Sequence, residues 1–316
     1  MLRILLVKTS SLGDVVHSFP VASDLQRHFP DAAIDWVVEE AYVALVKLHP
    51  AVRQVIPVAL RRWRKHLLGF ATWQDIAGFR RAAHAERYDV VIDTQGLLKS
   101  ALISRTARGT HHGFDASSAR ESMAARFYDV THPVHKAQHA VLRNRQLAAA
   151  ALGYSVDGDT DYGLSRAVHR AQDKGYCVLL HGTSRADKCW PEGAWIELGR
   201  ALEARGFDCV LPWGSEHERA RSERIAASLQ RARVPERLPL DAMAALLAGS
   251  AAVIGVDTGL THLAAALGVP VLAIFAGTDP ALTGVYGALL SRNLGHIGVP
   301  PGSAAVMNAL SEMQVC

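Results

Sequence analysis

Short apolar runs alternate with amphipathic stretches along the whole chain. Residues 4–7, 34–38, 54–58 and 89–92 have the length and composition of strands. Residues 15–28 and 97–107 carry helical spacing. Such alternation predicts βαβ units and a parallel sheet. Val90-Val91-Ile92 is apolar throughout, as a strand covered on both faces requires. The pattern then restarts. Residues 177–180, 209–211, 252–256 and 269–275 read as strands, and 191–204, 216–229, 242–248 and 260–267 as helices. Pro191 suits a first helical turn, where its missing N–H would be unpaired anyway, and Gly268 suits a C-terminal cap. Residues 153–164, rich in Gly, Asp, Ser and Tyr, read as a linker. The pattern therefore predicts two similar α/β units, 1–160 and 161–316. Ligands of such sheets bind beyond the carboxyl ends of the strands. Two such edges set face to face would make a cleft, and the loops after strands are where chemistry is expected.

Composition narrows the classes. A chain of 316 residues suits two domains of about 150 each. Its 49% of hydrophobic residues is ample for buried cores. The formal charge, 34 − 30 = +4, lacks the concentrated basic field of a nucleic-acid binder. Cys177, Cys189, Cys209 and Cys316 form no CxxC pair, so buried reduced thiols are expected. Lys8, Asp14 and His17 interrupt the first apolar run, which does not read as a signal peptide. The most apolar stretch, 242–277, is broken by Asp257, Thr258 and His262 and does not read as a membrane span. A soluble cytosolic protein is expected, with membrane association left open.

The unusual segments do follow strands. In 8–14, KTSSLGD, Gly13 allows a tight turn and Asp14 falls near a helix start, as a cap or as a reactive carboxylate. Lys8-Thr9 has no upstream glycine for a phosphate loop, and no GxGxxG follows the first strand. In HGTSRADKCWP, 181–191, small hydroxyls, backbone N–H groups and Lys188 suit an anion site, or form a surface loop with an ordinary salt bridge. In VDTGLTH, 256–262, a strand ends, a glycine follows and a helix begins with its N–H donors forward; Asp257 reads also as a simple cap and His262 as a structural histidine. Together these two loops offer the paired donors a diphosphate needs. In PWGSEHE, 212–218, a glutamate is placed either to accept from ribose hydroxyls or to sit solvated at a helix start. Arg61-Arg62-Trp63-Arg64-Lys65 concentrates a local +4, suited to an anionic acceptor or an anionic membrane surface, or to a plain solvated helix face. DTQGLLKS, 93–100, could orient hydroxyls or an anionic sugar. His132, His135 and His139 have metal-like spacing but no carboxylate or cysteine pattern beside them.

These residues, in this order, resemble glycosyltransferase family 9. The likeness is carried by KTSSLGD, by Trp36-Val37-Val38-Glu39-Glu40, by Ile56-Pro57-Val58 followed by RRWRK, by DTQGLLKS and by VDTGLTHLAAAL. It spans nearly the whole chain. KTSSLGD and HGTSRADKCWPE are similar to the type I branch rather than type II. The resemblance implies a GT-B fold, two Rossmann-like domains facing across a cleft. It also implies an inverting, metal-independent transfer with no cofactor. The implied donor is ADP-L-glycero-β-D-manno-heptose. The implied acceptor is Kdo-lipid A, met peripherally at the cytoplasmic face of the inner membrane. Asp14 matches the family's catalytic base. Thr183, Ser184, Lys188, Thr258 and Gly259 match donor-phosphate contacts, Glu218 the ribose contact, and Asp257 and His262 further donor-site residues. Ser184 stands where the family often has Thr, and Leu238 where it often has Met near the adenine. Acceptor contacts are expected from Arg61, Arg62, Arg64, Lys65, Asp93, Gln95, Lys99 and Arg120. The alternatives are a family 9 enzyme with another acceptor, a nucleotide-sugar epimerase on a similar scaffold, and a non-catalytic nucleotide-sugar binding module.

Overall fold

The computed structural model describes residues 1–164 and 175–313. The chain divides into two compact units, Met1–Gly163 and Leu164–Cys316. In the first, β1 (Arg3–Val7), β2 (Ala33–Glu39), β3 (Val52–Val58), β4 (Arg87–Asp93), β5 (Arg108–Phe114) and β6 (Val130–His132) form a parallel sheet in the order β3-β2-β1-β4-β5-β6. In the second, β7 (Tyr176–Leu180), β8 (Asp208–Val210), β9 (Ala232–Arg233), β10 (Ala252–Val256), β11 (Val271–Ile274) and β12 (Ser291–Leu294) form a parallel sheet in the order β12-β11-β10-β7-β8-β9. Counted within its own unit, the second sheet repeats the order of the first. In each, the order reverses between the first and fourth strands, which opens a crevice at their carboxyl ends.

The central strands are apolar because helices cover both faces. Ile4 to Val7 and Ala252 to Val256 are all buried. In the second unit Trp190 and Trp195 pack edge to face, with centroids 5.0 Å apart. Burying side chains of that size contributes roughly 2–3 kcal/mol each. Pro57 lies in β3, at the edge of its sheet, where a missing N–H breaks no ladder.

Several elements depart from the pattern. The stretch 15–28 is two helices, Leu12–Val16 and Phe19–His28, because Pro20 opens the second and has no N–H to continue the first. Strands β5, β6, β9 and β12 carry no apolar run and escape the pattern. Pro191 is not inside the first turn. It precedes the helix Glu192–Glu203, with extended backbone at φ −57° and ψ 144°. Gly268 does close its helix: at φ 73° it donates to the Ala265 carbonyl at 2.9 Å, and Val269 donates to Ala264 at 3.2 Å.

The 153–164 segment is fastened to the first unit rather than free. Arg145 pairs with Asp24 at 2.7 Å, and both Arg145 and Arg27 donate to the Asp157 carbonyl. Cys177 and Cys209 are buried, and burial pushes the Cys209 thiol up to about 12. Cys189 is only half-buried, against the expectation of buried thiols, and Cys316 lies outside the described residues. No helix among the described residues is long and apolar enough to cross a membrane.

Candidate active site

In the first unit the chain leaves β1 at Val7 and enters the helix Leu12–Val16. Ser11 is the N-cap, so Asp14 is not the cap itself but the third helical residue. Its Oδ2 accepts from the Ser11 N–H and hydroxyl, both at 3.0 Å. Arg120, 106 residues away in sequence, donates to Oδ1 at 2.5 Å. Burial pushes the Asp14 carboxyl up. The charges of Lys8 and Arg120, with the hydrogen bonds from Arg120 and Ser11, outweigh it and hold the group well below the usual carboxylate range. Lys8 is itself buried, donates to the Thr94 carbonyl at 2.8 Å, and is brought down to about 8 by desolvation against the pull of Asp14.

The loop after β4 fastens the loop after β1. The Thr9 N–H and hydroxyl both donate to Gln95 Oε1 at 2.8 Å. Asp93 accepts from the Gln95 N–H and the Tyr128 hydroxyl, each at 2.8 Å, and burial pushes its carboxyl up. Asp93 and Gln95, expected at the acceptor, are both buried and brace the loops. The exposed cations beside Asp14 are Arg120 and Lys99, the latter donating to the Ser10 hydroxyl at 3.4 Å.

The basic run is not uniform. Trp63 turns inward against Phe79, while Arg62 is held by Glu40 and Asp75 at 3.0 and 2.5 Å. Arg61 donates to the Tyr42 hydroxyl at 3.1 Å. Arg64 and Lys65 are exposed and have no ion-pair partner among the described residues. The local +4 is therefore partly spent within the fold.

In the second unit, β7 and β10 end side by side. Lys188 donates to Asp257 Oδ2 at 2.7 Å, and Thr278 donates to the same atom at 2.6 Å. His262, inside the helix Gly259–Ala266, meets Asp257 Oδ1 at 3.3 Å. Burial raises the Asp257 carboxyl, but hydrogen bonds from His262, Lys188 and Thr278 hold it well below the usual range. Thr258, not Asp257, is the N-cap, and the Thr183 hydroxyl donates to the Asp257 carbonyl at 3.3 Å. Ser184 is exposed and Leu238 half-buried. Glu218 is the third residue of the helix Glu216–Ala226, its Oε2 accepting from the N–H groups of Gly214 and Ser215 at 2.8 and 3.0 Å. Its Oε1 lies against Gly182, where an added Cβ would stand 2.6 Å away, so that glycine permits the close approach.

Three residues had no sequence signal. Arg221 donates to the carbonyls of His181 and Trp190, strapping both ends of the 181–190 loop. Thr278 and Tyr128 complete the shells of Asp257 and Asp93. The three spaced histidines take separate partners: His132 meets His112 at 3.0 Å, His135 accepts from the Ala137 N–H, and His139 from Val141. No group of three His, Cys, Asp or Glu among the described residues is placed to hold a metal ion.

Two parallel-sheet α/β domains, each with polar, charge-paired loops at its switch point, define a glycosyltransferase of the GT-B class. The model of Glycosyltransferase family 9 (heptosyltransferase) matches residues 76–307, and the chain belongs to that family. It is 48% identical over 306 residues to lipopolysaccharide heptosyltransferase 1 of Pseudomonas aeruginosa, covering 94% of this chain and 84% of that protein. The structure of E. coli heptosyltransferase WaaC with ADP is 42% identical and matches with a TM-score of 0.93, covering 99% of this chain and 100% of that one. WaaC with ADP-2-deoxy-2-fluoro heptose matches at 0.89 with 41% identity, over 98% and 99%.

Proposed function

We propose that this protein transfers L-glycero-D-manno-heptose from ADP-heptose to the Kdo of Kdo-lipid A, with inversion, at the cytoplasmic face of the inner membrane. The observation that carries the donor is the likeness to a heptosyltransferase solved with ADP and with a fluorinated ADP-heptose. The second unit supplies the matching chemistry. Lys188 and the N–H groups before Leu260 offer positive charge to a diphosphate, and Asp257 aims Lys188 and His262. Glu218, with Oε2 committed to its helix, presents Oε1 to ribose hydroxyls. Thr183, Ser184, Thr258 and Gly259 line the phosphates, and Leu238 meets the adenine.

Inversion needs a base on the sugar face opposite the departing ADP. Asp14 is that base in this reading. Its depressed proton affinity keeps it ionised at neutral pH. The attacking hydroxyl becomes acidic as its bond to the anomeric carbon forms, so a weak base suffices. Kdo is a sugar acid. Its carboxylate competes for Arg120 and Lys99, and drawing Arg120 away would raise the basicity of Asp14 as the acceptor arrives. Arg61, Arg64 and Lys65 serve the acceptor's phosphates, with Arg62 largely neutralised. The first unit is thus the acceptor domain and the second the donor domain.

Incubation with ADP-heptose and Kdo-lipid A should give product heavier by one heptose on mass spectrometry. Sugar altered without acceptor would mean an epimerase; ADP-heptose bound and unchanged would mean a binding module.

A further inference from the structure

We infer that residues 66–73 are a membrane-inserting tip, whose Leu67, Leu68, Phe70 and Trp73 enter the surface of an anionic lipid bilayer while Arg64 and Lys65 engage its phosphates. This deepens the membrane contact of the proposed function, and rests on it for the biological setting alone. The relative exposures are 55% for Leu67, 102% for Leu68, 77% for Phe70 and 59% for Trp73. Single exposed apolar residues are ordinary, but a contiguous group of large ones marks a contact surface.

The tip is built for such a medium. Unpaired backbone polar groups are costly in hydrocarbon. Here the Thr72 hydroxyl and the Gly69 N–H donate to the His66 carbonyl at 2.8 and 3.0 Å, and the Trp73 indole N–H donates to the Leu67 carbonyl at 2.9 Å. Trp63, buried against Phe79 with centroids 6.0 Å apart, ties the entrance of the tip into the core. The side chains are therefore presented by an ordered backbone. A tryptophan at the rim matches the amphipathic rings that favour bilayer interfaces.

Charge selects the occupant. Residues 61–75 hold Arg61, Arg62, Arg64 and Lys65 against Asp75, so 4 − 1 = +3. Glu40 and Asp75 are both taken by Arg62, which leaves Arg64 and Lys65 beside the apolar tip. A second copy would bring the same positive charge to the patch and be repelled. An anionic lipid surface meets both features at once.

The full chain should co-sediment with vesicles of phosphatidylcholine mixed with phosphatidylglycerol, and much less with phosphatidylcholine alone. Leu68→Ser/Phe70→Ser should weaken that binding at least about tenfold, and Arg64→Ala/Lys65→Ala by about fivefold per charge at low salt. Brominated lipid should quench tryptophan emission in the parent but not in Trp73→Phe. ADP affinity by calorimetry, unchanged in every variant, shows that each is folded. Vesicle binding equal to the parent in Leu68→Ser/Phe70→Ser overturns the tip, as does a dimer that these substitutions dissolve with vesicle binding untouched. Heptose transfer to a delipidated acceptor is scored separately. Loss of transfer with vesicle binding intact refutes the proposed reaction and leaves the tip standing.

Discussion

The two units share one strand order and put a depressed carboxylate at each switch point, yet they surround it differently. In the first, Asp14 sits on a helix with Arg120, which is 44% exposed on its side chain, and a ligand can exchange for that cation. In the second, Asp257 is enclosed by Lys188, His262 and Thr278, its side chain 9% exposed. One topology thus holds an exchangeable carboxylate in one copy and an enclosed one in the other; in the proposed reaction the first is the base and the second a charge clamp. The strand order fixes where the loops gather; the partners of each carboxylate decide its chemistry.

The largest expected effect breaks the first half of that contrast. Asp14→Asn should cut kcat by about 10³-fold or more while ADP affinity stays within about twofold. Turnover near the parent's would end the base assignment. Next, Lys188→Ala should weaken ADP binding by about 10–100-fold in calorimetry. It should also lower the melting temperature, because a buried Asp257 loses a partner. Unchanged ADP affinity would remove Lys188 from the donor site.

A third test asks whether the units respond alike to acid. Each buries a histidine, His49 and His181, and desolvation brings both down to about 4. A histidine with a depressed folded pKa contributes stability that is full above its unfolded value of 6.5. That stability is lost as pH falls toward 4, because the unfolded chain binds the proton first. Each should cost about 1.4 kcal/mol per pH unit in that window, read from urea midpoints at falling pH. His49→Gln should flatten the slope of the first unit only; an unaltered slope would show that His49 does not contribute. The smallest effect concerns the basic run. Arg64→Ala/Lys65→Ala should raise the acceptor KM several-fold and leave donor KM alone, whereas Arg62→Ala, already paired, should do less. A larger effect from Arg62 would reverse the ranking drawn from those ion pairs.

The legible parts were those whose signal is local. The central strands β1, β4, β7 and β10 are buried on both faces, so their apolar runs stand out, and the loops that follow them hold the candidate site residues. The strands that were missed lack that signal. Ser291–Leu294 is largely solvent-facing, Ala232–Arg233 is two residues long, and Arg108–Phe114 holds two histidines and no apolar alternation. The likeness to family 9 was also legible, because motif order needs no coordinates. By itself, then, the sequence determined two repeated α/β units, the family, and which loops hold the candidate site residues. Only the tertiary structure decided how those residues are paired. Arg120 meets Asp14 across 106 positions, Lys188 meets Asp257 across 69, and Arg221 ties both ends of a loop from another helix. Likewise it turned Asp93 and Gln95 inward and left Leu68 and Phe70 outward. Periodicity reports which face of an element is apolar. It holds no record of which distant side chain will stand within 3 Å, and at that distance charge and burial set what a carboxylate does.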